Sequence, residues 1–280
     1  MSISVLTNVA SLNAQRNLAA TQTALAGSVG RLSSGMRINS AADDAAGLGI
    51  SENLKANIRS LAQAQRNAND GISMSQVAEG GMNEMQGIVS RMRELSVQSA
   101  NATLGDNERG YIQTEFTQLS QEINRIGSVT DFNGQKLLDG SASTGLQFQI
   151  GIQNTANDRL AMSITKLTTS TLGSTSLHIA SASLSTSANA QLAIGTFDRA
   201  IQQLSQARAK VGATQNRMTV TVSNLAVAQE NLTAANSRIR DVDVASESAN
   251  LTKSQILSQA GLAVLAQANQ LPQSALSLLR

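Results

Sequence analysis

The chain offers few residues that could carry out chemistry on a substrate or hold a metal. Asp43 and Asp44 are adjacent carboxylates, which metal binding or general acid–base catalysis could use. They stand near the start of a predicted helix, where carboxylates complement the helix dipole, and we favour that role. His178 is the single histidine and has no other metal ligand in its serine-rich surroundings, so we expect a neutral surface residue.

Sequence motifs of enzymes are missing as well. No HExxH zinc motif, no paired nucleophile and base, and no phosphate-binding loop occurs. The glycines of GLGISENL (47–54) indicate flexibility at a helix junction rather than a dinucleotide loop. We therefore predict no catalytic residue, no metal site and no cofactor.

The composition favours long helices packed side by side. Aromatic residues make up 2% of the 280 residues, and Pro272 is the only proline, so almost nothing interrupts a helix. The absence of cysteine excludes disulfides and thiolate metal sites. The net charge of +2 comes from scattered residues, with no basic cluster interleaved with aromatics, which argues against nucleic-acid binding.

Signals for membranes or ordinary secretion are not visible. Residues 1–15 show no basic leader, no apolar stretch of signal-peptide length and no cleavage site. No segment approaches the ~20 apolar residues of a membrane span. We expect neither a cleaved signal peptide nor membrane insertion.

A heptad repeat near the C-terminal end predicts a long coiled-coil helix. A large apolar residue recurs at every seventh position, and a small or β-branched residue follows three positions later, over six unbroken heptads. The seam residues are Phe197, Leu204, Val211, Met218, Leu225, Leu232 and Ile239. Small residues at one core position allow helices to approach closely.

Two earlier segments could supply the partner helices. One carries Ile112, Phe116 and Ile123 at heptad-like spacing, and the other carries Met74, Ile88 and Leu95 along a helix that could run from Ser40 to Ala100. Ser40, followed three residues later by Asp43, resembles an N-cap arrangement for that helix. The predicted fold is thus mainly α, with long antiparallel helices in a coiled-coil bundle.

The middle of the chain changes its period. Alternating apolar and polar residues predict a β-hairpin near 146–166. Residues 167–190 are rich in Ser and Thr and are expected to form a short exposed connection. This connection could carry O-linked glycans, but a plain loop is an equally good interpretation.

The two ends of the chain are almost free of charge. Residues 1–30 carry one charged side chain, Arg16, and residues 251–280 carry only Lys253 and Arg280. A solvated helix normally keeps a charged face, so we predict that these ends pair, are mobile in the monomer and become ordered against neighbouring copies. Low charge also suits a simple internal hairpin.

Several long motifs resemble those of the bacterial flagellin family, in the family's order. They cover about the first 165 residues and the last 85. The motifs are RLSSGMRINSAADDAAGLGISENL (31–54), RMRELSVQSAN (91–101), DFNGQKLLDG (131–140), IRDVDVASESANLTKSQIL (239–257) and VLAQANQLPQSALSLLR (264–280).

The resemblance implies an architecture and a function. It implies an inner-core domain of residues 1–42 plus 245–280, and an outer-core domain of residues 43–244. It also implies a homopolymeric flagellar filament for motility, secreted by the flagellar type III apparatus. The partners would be further copies of the chain, an export chaperone, and hook-associated junction and cap proteins. Only about 25 residues occupy the place of a variable outer domain, so the chain looks like a minimal flagellin.

The family also implies roles for two groups of residues. Arg91, Leu95, Gln98 and Glu115 match the patch that Toll-like receptor 5 recognises and that contacts other subunits in filaments; an ordinary solvated helix face is the alternative. The tail residues Leu271, Leu276, Leu278, Leu279 and Arg280 would serve polymerisation and chaperone binding; a frayed apolar tail is the alternative.

Other classes of protein fit the sequence less well. A hook–filament junction protein shares the terminal design, but the dense match at both ends favours flagellin. A signalling coiled coil would not need the hairpin or the uncharged ends. We expect a structural protein and not an enzyme.

Overall fold

The fold is built from five α-helices and two small hairpins. The structure is a computed structural model that describes residues 7–173 and 177–277, with side chains described as far as residue 270. The helices are α1 (Val9–Ser34), α2 (Ala45–Ser99), α3 (Asp106–Val129), α4 (Ser187–Arg240) and α5 (Val244–Ser277). The prediction of a mainly helical fold with paired terminal helices is confirmed.

The chain divides into two compact units. The first unit contains residues 1–58 and 231–280, and the second contains residues 59–230. Both boundaries lie inside helices, in α2 and α4, and not at the predicted positions 42/43 and 244/245. Helix continuity hides such a boundary from the sequence, because no linker marks it.

The second unit holds the apolar core. Helix α2 runs antiparallel to α4, since Arg93 Nε contacts Asp198 Oδ1 at 2.6 Å near one end and Gly71 packs against Met218 near the other. Helix α3 joins them through an edge-to-face contact between Phe116 and Phe197, whose ring centroids are 5.9 Å apart. The remaining core is filled mainly by methionine, leucine and alanine side chains.

The predicted seam of α4 is buried over most of its length. Five of its residues are buried and belong to the second unit: Phe197, Leu204, Val211, Met218 and Leu225. Leu232 and Ile239 are only half-buried and belong to the first unit. The seam pattern therefore continues beyond the point where α4 has a buried core.

Helix α2 begins later than predicted, at Ala45. Asp44 is the residue that caps it, because its Oδ1 accepts from the backbone N–H of Gly47 at 2.8 Å. The Ser40–Asp43 pair closes a turn instead: Asp43 Oδ2 accepts from the N–H of Ser40 at 2.9 Å and from its hydroxyl at 3.0 Å. The expected N-cap at Ser40 is wrong. Ser40 and Asp44 are both residue types that cap helices, they lie four residues apart, and it is Asp44 that caps α2.

Two short hairpins follow α3. Strand β1 (Asp131–Phe132) pairs with β2 (Gln135–Lys136) around Asn133 and Gly134, whose φ angles of 51° and 79° suit a tight two-residue turn. The predicted hairpin is present as β3 (Leu146–Gln149) antiparallel to β4 (Arg159–Met162), with Leu146 opposite Met162.

The expected exposure of residues 167–190 is wrong. In the described part of this segment, 167–173 and 177–190, Ala180 and Ala188 are exposed, but six other apolar side chains lie in the core. These are Leu167, Leu172, Ile179, Ala182, Leu184 and Ala190. These apolar residues are spaced irregularly among serines and threonines and cover the helices without forming a long regular element. The sequence therefore contains no period that would predict their burial.

The fold predicts where the chain is sensitive to truncation of an apolar side chain. Phe197→Ala should destabilise the second unit by about 3–5 kcal/mol, because it removes a fully buried ring. Chemical denaturation followed by circular dichroism measures this. Leu192→Ala is the control on the same helix, since Leu192 is 67% exposed and its truncation should cost less than ~0.5 kcal/mol. Equal losses would contradict this assignment of the core.

Candidate assembly surfaces

Helices α1 and α5 pair antiparallel through polar contacts at one end. Asn8 caps α1 through its Oδ1, which accepts from the N–H of Ser11 at 3.1 Å. The amide nitrogen of the same Asn8 donates to the carbonyl of Ala268 on α5 at 2.7 Å. Next to it, the Ser11 hydroxyl donates to Asn269 Oδ1 at 2.8 Å.

A buried carboxylate holds the other end of the pair. Arg31 donates to Glu247 Oε1 from both Nε and Nη2, at 3.0 and 2.8 Å. Ser28, which is buried, also donates to this carboxylate. These hydrogen bonds, Ser28 first and Arg31 second, hold the pKa of Glu247 below its ordinary value of 4.5.

Between the two ends the helices touch closely. A side-chain carbon added to Gly261 would lie 3.3 Å from Leu18 Cδ1, tighter than ordinary van der Waals contact. The polar contacts at both ends and this close approach fix one register, because a shift by a single residue would break all of them together.

The terminal pair has almost no apolar core of its own. In the described side chains of the first unit, the only buried apolar residues are Ile38 and Ala268. Its other buried side chains are Ser11, Ser28, Ser51 and Glu247, which are polar. The leucines at positions 18, 25, 32 and 265 are only half-buried, so burial of apolar area, the main stabilising term of folding, is incomplete in this unit.

Large apolar side chains of the same unit face outwards instead. Nine of them are exposed by about half or more in the described part of this unit. They are Val9, Leu12, Val29, Ile50, Val244, Ile256, Leu257, Leu262 and Val264. Exposed apolar surface of this extent on one unit indicates an interaction site.

Within the first unit, a group of contacts that we call the clasp joins the break between α1 and α2 to the break between α4 and α5. Met36 and Asp241 form an isolated antiparallel bridge, and the N–H of Val242 donates to the carbonyl of Gly35 at 3.1 Å. Gly35 has a φ of +71°, the left-handed conformation that ends α1. The Arg240 guanidinium reaches back to the Ser51 hydroxyl at 3.2 Å.

A second candidate surface lies on the second unit, where α2 faces α3. Arg91 Nε contacts Glu115 Oε1 at 2.9 Å, and Arg91 Nη1 contacts Glu94 at 3.2 Å. The hydrogen bond to Glu115 is the main reason that the pKa of Arg91 is raised. Gln98 is exposed two turns further along α2. Arg91, Glu115 and Gln98 are therefore available to a partner.

Leu95 does not belong to this surface. It is 1% exposed and lies in the core cluster, so its expected place on the helix face is wrong. Leu95 is four residues from Arg91, yet it lies in the core cluster, because a heptad core position and a surface position can be neighbours on a helix.

The residues that could have carried chemistry have structural surroundings. Asp44 caps α2, and hydrogen bonds from the backbone and hydroxyl of Ser40 hold the pKa of Asp43 below its ordinary value. His178 is half-buried, with its Nδ1 buried and without a hydrogen-bond partner, so its predicted surface position is wrong. Among the described residues, no group of three potential ligands could hold a metal ion.

None of the described helices has both the length and the apolar character that crossing a bilayer requires.

The predicted tail residues are only partly visible. Leu271 and Leu276 lie within α5, but their side chains are not described. Leu278, Leu279 and Arg280 lie outside the described residues. The role predicted for this tail stays a prediction.

Comparison with known families places this architecture. Residues 5–143 match the family described as bacterial flagellin N-terminal helical region, and residues 194–279 match the bacterial flagellin C-terminal helical region. The chain belongs to the bacterial flagellin family. This is a structural, non-enzymatic family, in agreement with the prediction that the chain is not an enzyme.

Relatives match over nearly the whole length. A flagellin of Halalkalibacterium halodurans is 45% identical over 273 residues, which cover 98% of each chain. The flagellar filament 33 kDa core protein of Treponema phagedenis is 44% identical over 283 residues, again 98% of each chain. The chain therefore has the same extent as these filament proteins.

A solved structure shares the fold at low identity. It is assigned to a flagellar hook-associated protein from Vibrio parahaemolyticus, with a TM-score of 0.59 and 16% identity, and the match covers 71% of this chain and 100% of that chain. At this identity the likeness concerns the fold alone.

The polar register of the terminal pair could not be read from the sequence. The segments that contain Asn8, Ser11 and Glu247 were recognised only by their low charge or by their match to family motifs. Neither feature indicates which residues of the two helices contact each other. The nearest signal is that Arg31 and Glu247 are among the few charged residues in or beside these segments.

The environment of Glu247 predicts an acid sensitivity of the terminal pair. Because its folded-state pKa is depressed, its stabilising contribution is present above about pH 4.5 and is lost as the pH falls through the lower folded-state value. Glu247→Gln should lower the helicity at neutral pH and flatten the acid titration of helicity. The pair lacks a core, so this one contribution is a measurable share of its stability.

Circular dichroism of the full chain titrated with acid measures this. Glu230→Gln, at an exposed position of α4, is the matched control and should leave the curve as in the wild type. A Glu247→Gln curve that coincides with the control would contradict the role of this carboxylate.

Proposed function

We propose that the chain is the structural subunit of a bacterial flagellar filament and that many identical copies polymerise to form it. The observation that carries this proposal is the terminal pair, which fixes its register by polar contacts and leaves eight large apolar side chains of α1 and α5 exposed. Such a pair needs further surface to cover it, and copies of the same chain supply that surface at high local concentration.

Its relatives support this function. The match to the filament core protein of Treponema phagedenis extends over 98% of both chains. Full-length identity of 44% includes the two terminal segments where the exposed apolar residues lie. The extracellular filament is the corresponding location.

The terminal pair is proposed to be marginally ordered in the monomer and rigid in the filament. Backbone ordering costs about 1–2 kcal/mol per residue, and a pair whose one buried apolar side chain, among those described, is Ala268 has little to offset it. In a filament the exposed side chains would be buried against neighbouring copies, and the same sequence would then hold firm helices.

Assembly requires partners besides the chain itself. We place export through the flagellar type III apparatus, a chaperone at the C-terminal tail, and hook-associated junction and cap proteins at the filament ends within the same proposal. Membership of the flagellin family supports them. A hook–filament junction protein remains the nearest alternative for the chain, and the full-length identity to flagellins favours the filament.

Removing apolar surface from α5 tests the filament proposal. The double variant Ile256→Gln and Leu257→Gln should fold its second unit normally but fail to polymerise, since both side chains are about half exposed in the single chain. Seeded polymerisation of purified monomer, followed by light scattering and circular dichroism, measures the loss.

The control for this experiment lies on the same helix. Gln259→Ser changes an exposed neutral side chain and should leave growth close to wild type. Helicity should also rise as wild-type monomer enters the filament. Polymerisation of the double variant at the wild-type rate would refute the proposal.

We further propose that the free monomer activates Toll-like receptor 5 through Arg91, Gln98 and Glu115. The supporting observation is that these three side chains are exposed and that Arg91 and Glu115 are paired across α2 and α3. Leu95 would act only by packing beneath this surface, because it is buried.

Receptor activation by purified monomer tests this second function. Arg91→Ala should weaken activation in a reporter cell line by about tenfold, since a charge-assisted hydrogen bond and its geometry are lost at the contact. Arg66→Ala, also on α2 and exposed, should retain the wild-type response. An unchanged response of Arg91→Ala would remove this function from the chain.

A further inference from the structure

A polar groove runs along α4 in the second unit, and none of the residues assigned above to assembly is among its described lining residues. It consists of two adjoining cavities of about 420 and 370 Å³, one beside His178 and the other beside Lys166. Both cavities are lined by Thr171, Gln203 and Gln206, so they form one continuous depression. Each has a volume in the range of small-ligand sites.

The lining of this groove carries positive charge and no carboxylate. Arg199 lines the first cavity, and Lys166 and Lys210 line the second, while no Asp or Glu is among the described residues that line either cavity. Three cations along one groove raise its positive potential, which favours an anionic ligand.

Several polar groups facing the groove are uncommitted. The ammonium groups of Lys166 and Lys210 make no ion pair or hydrogen bond with any described residue, and the same holds for the side-chain amides of Gln202 and Gln206. By contrast, Arg91, Arg93 and other cations of the same unit pair with carboxylates. The two ammonium groups and the two amide nitrogens are hydrogen-bond donors, and the two amide oxygens are acceptors.

The walls of the groove are held in place by specific contacts. Gln203 clips the loop to the helix, because its Nε2 donates to the Gly173 carbonyl at 3.1 Å and its Oε1 accepts from the Gly173 N–H at 2.9 Å. The stem of Lys166 lies over Gly140, where an added side-chain carbon would be 3.0 Å from Lys166 Cβ. Gly140 has a φ of +105°, which disfavours any larger residue there.

His178 adds a buried polar atom at the edge of the first cavity. Its Nδ1 is shielded from solvent and has no hydrogen-bond partner in the described residues. A buried polar atom without a partner is costly, so this edge of the cavity carries an unsatisfied polar group.

The cations are spread along the helix and not gathered at one point. Arg199, Gln202, Gln206 and Lys210 follow one another at intervals of three or four residues, which places them on one face of α4. Eleven residues separate Arg199 from Lys210, or about 16 Å at ~1.5 Å per residue. A single phosphate or carboxylate would engage only part of this length.

We propose that the groove binds a linear acidic polysaccharide. Its anionic groups would contact Lys166, Lys210 and Arg199, and its hydroxyls would hydrogen-bond to the amides of Gln202 and Gln206. A single-stranded nucleic acid fits less well, because no Phe, Tyr or Trp on which bases could stack is among the described residues that line either cavity. The chain would thereby attach to acidic glycan surfaces.

Binding of a defined heparin oligosaccharide to the full-length monomer tests this proposal. Titration calorimetry at low salt should detect binding that weakens with rising salt. The double variant Lys166→Gln and Lys210→Gln should bind at least tenfold more weakly. The matched control, Arg66→Gln with Arg217→Gln, removes the same charge from exposed positions outside the groove and should bind within twofold of wild type.

Binding measurements with other ligands and with assembled filaments distinguish the alternative roles of the groove. Equal weakening in both double variants would show dependence on net charge alone and overturn the proposal, as would no binding by the wild type. Tighter binding of polyglutamate or of a single-stranded oligonucleotide than of heparin would assign the groove to another class of ligand. Binding by monomer that disappears in filaments would assign it to a contact between copies.

Discussion

The pairing of the first and last helices without an apolar core is the constraint on which the rest of this protein depends. Asn8, Ser11 and Glu247 give the pair a register, but hydrogen bonds exchanged for water contribute little net stability. The apolar side chains that would normally stabilise such a pair point outwards. In the proposed filament, further copies of the chain would cover this surface.

The second unit is the opposite case, since it holds its own core. With few aromatics, it relies on close approach between elements. Gly71 lets Met218 reach α2, and a side-chain carbon added to Gly127 would lie 3.0 Å from the carbonyl oxygen of Leu167. Flexible methionine side chains fill the gaps that such irregular contacts leave. The chain thus joins a self-sufficient unit to one that is completed by others.

The regular parts of the fold were predictable because they are periodic. The α4 seam and the β3–β4 hairpin repeat with the periods of a helix and a strand, and burial follows these periods. The predictions failed where no period exists. The buried leucines of residues 167–190 and the half-buried His178 owe their positions to the elements they pack against. Leu95 is a different case: it follows the heptad spacing of Met74 and Ile88 and is buried, whereas its family match had placed it on an exposed face.

By itself, the sequence determined the helical class, the uncharged ends and the family, because these depend on residue types and on spacing along one chain. The tertiary structure alone decided the register of α1 against α5, the clasp at Arg240 and the groove beside α4. Each of these depends on residues tens to hundreds of positions apart, such as Asn8 and Ala268, and their meeting is set by the packing of whole helices and not by any local preference.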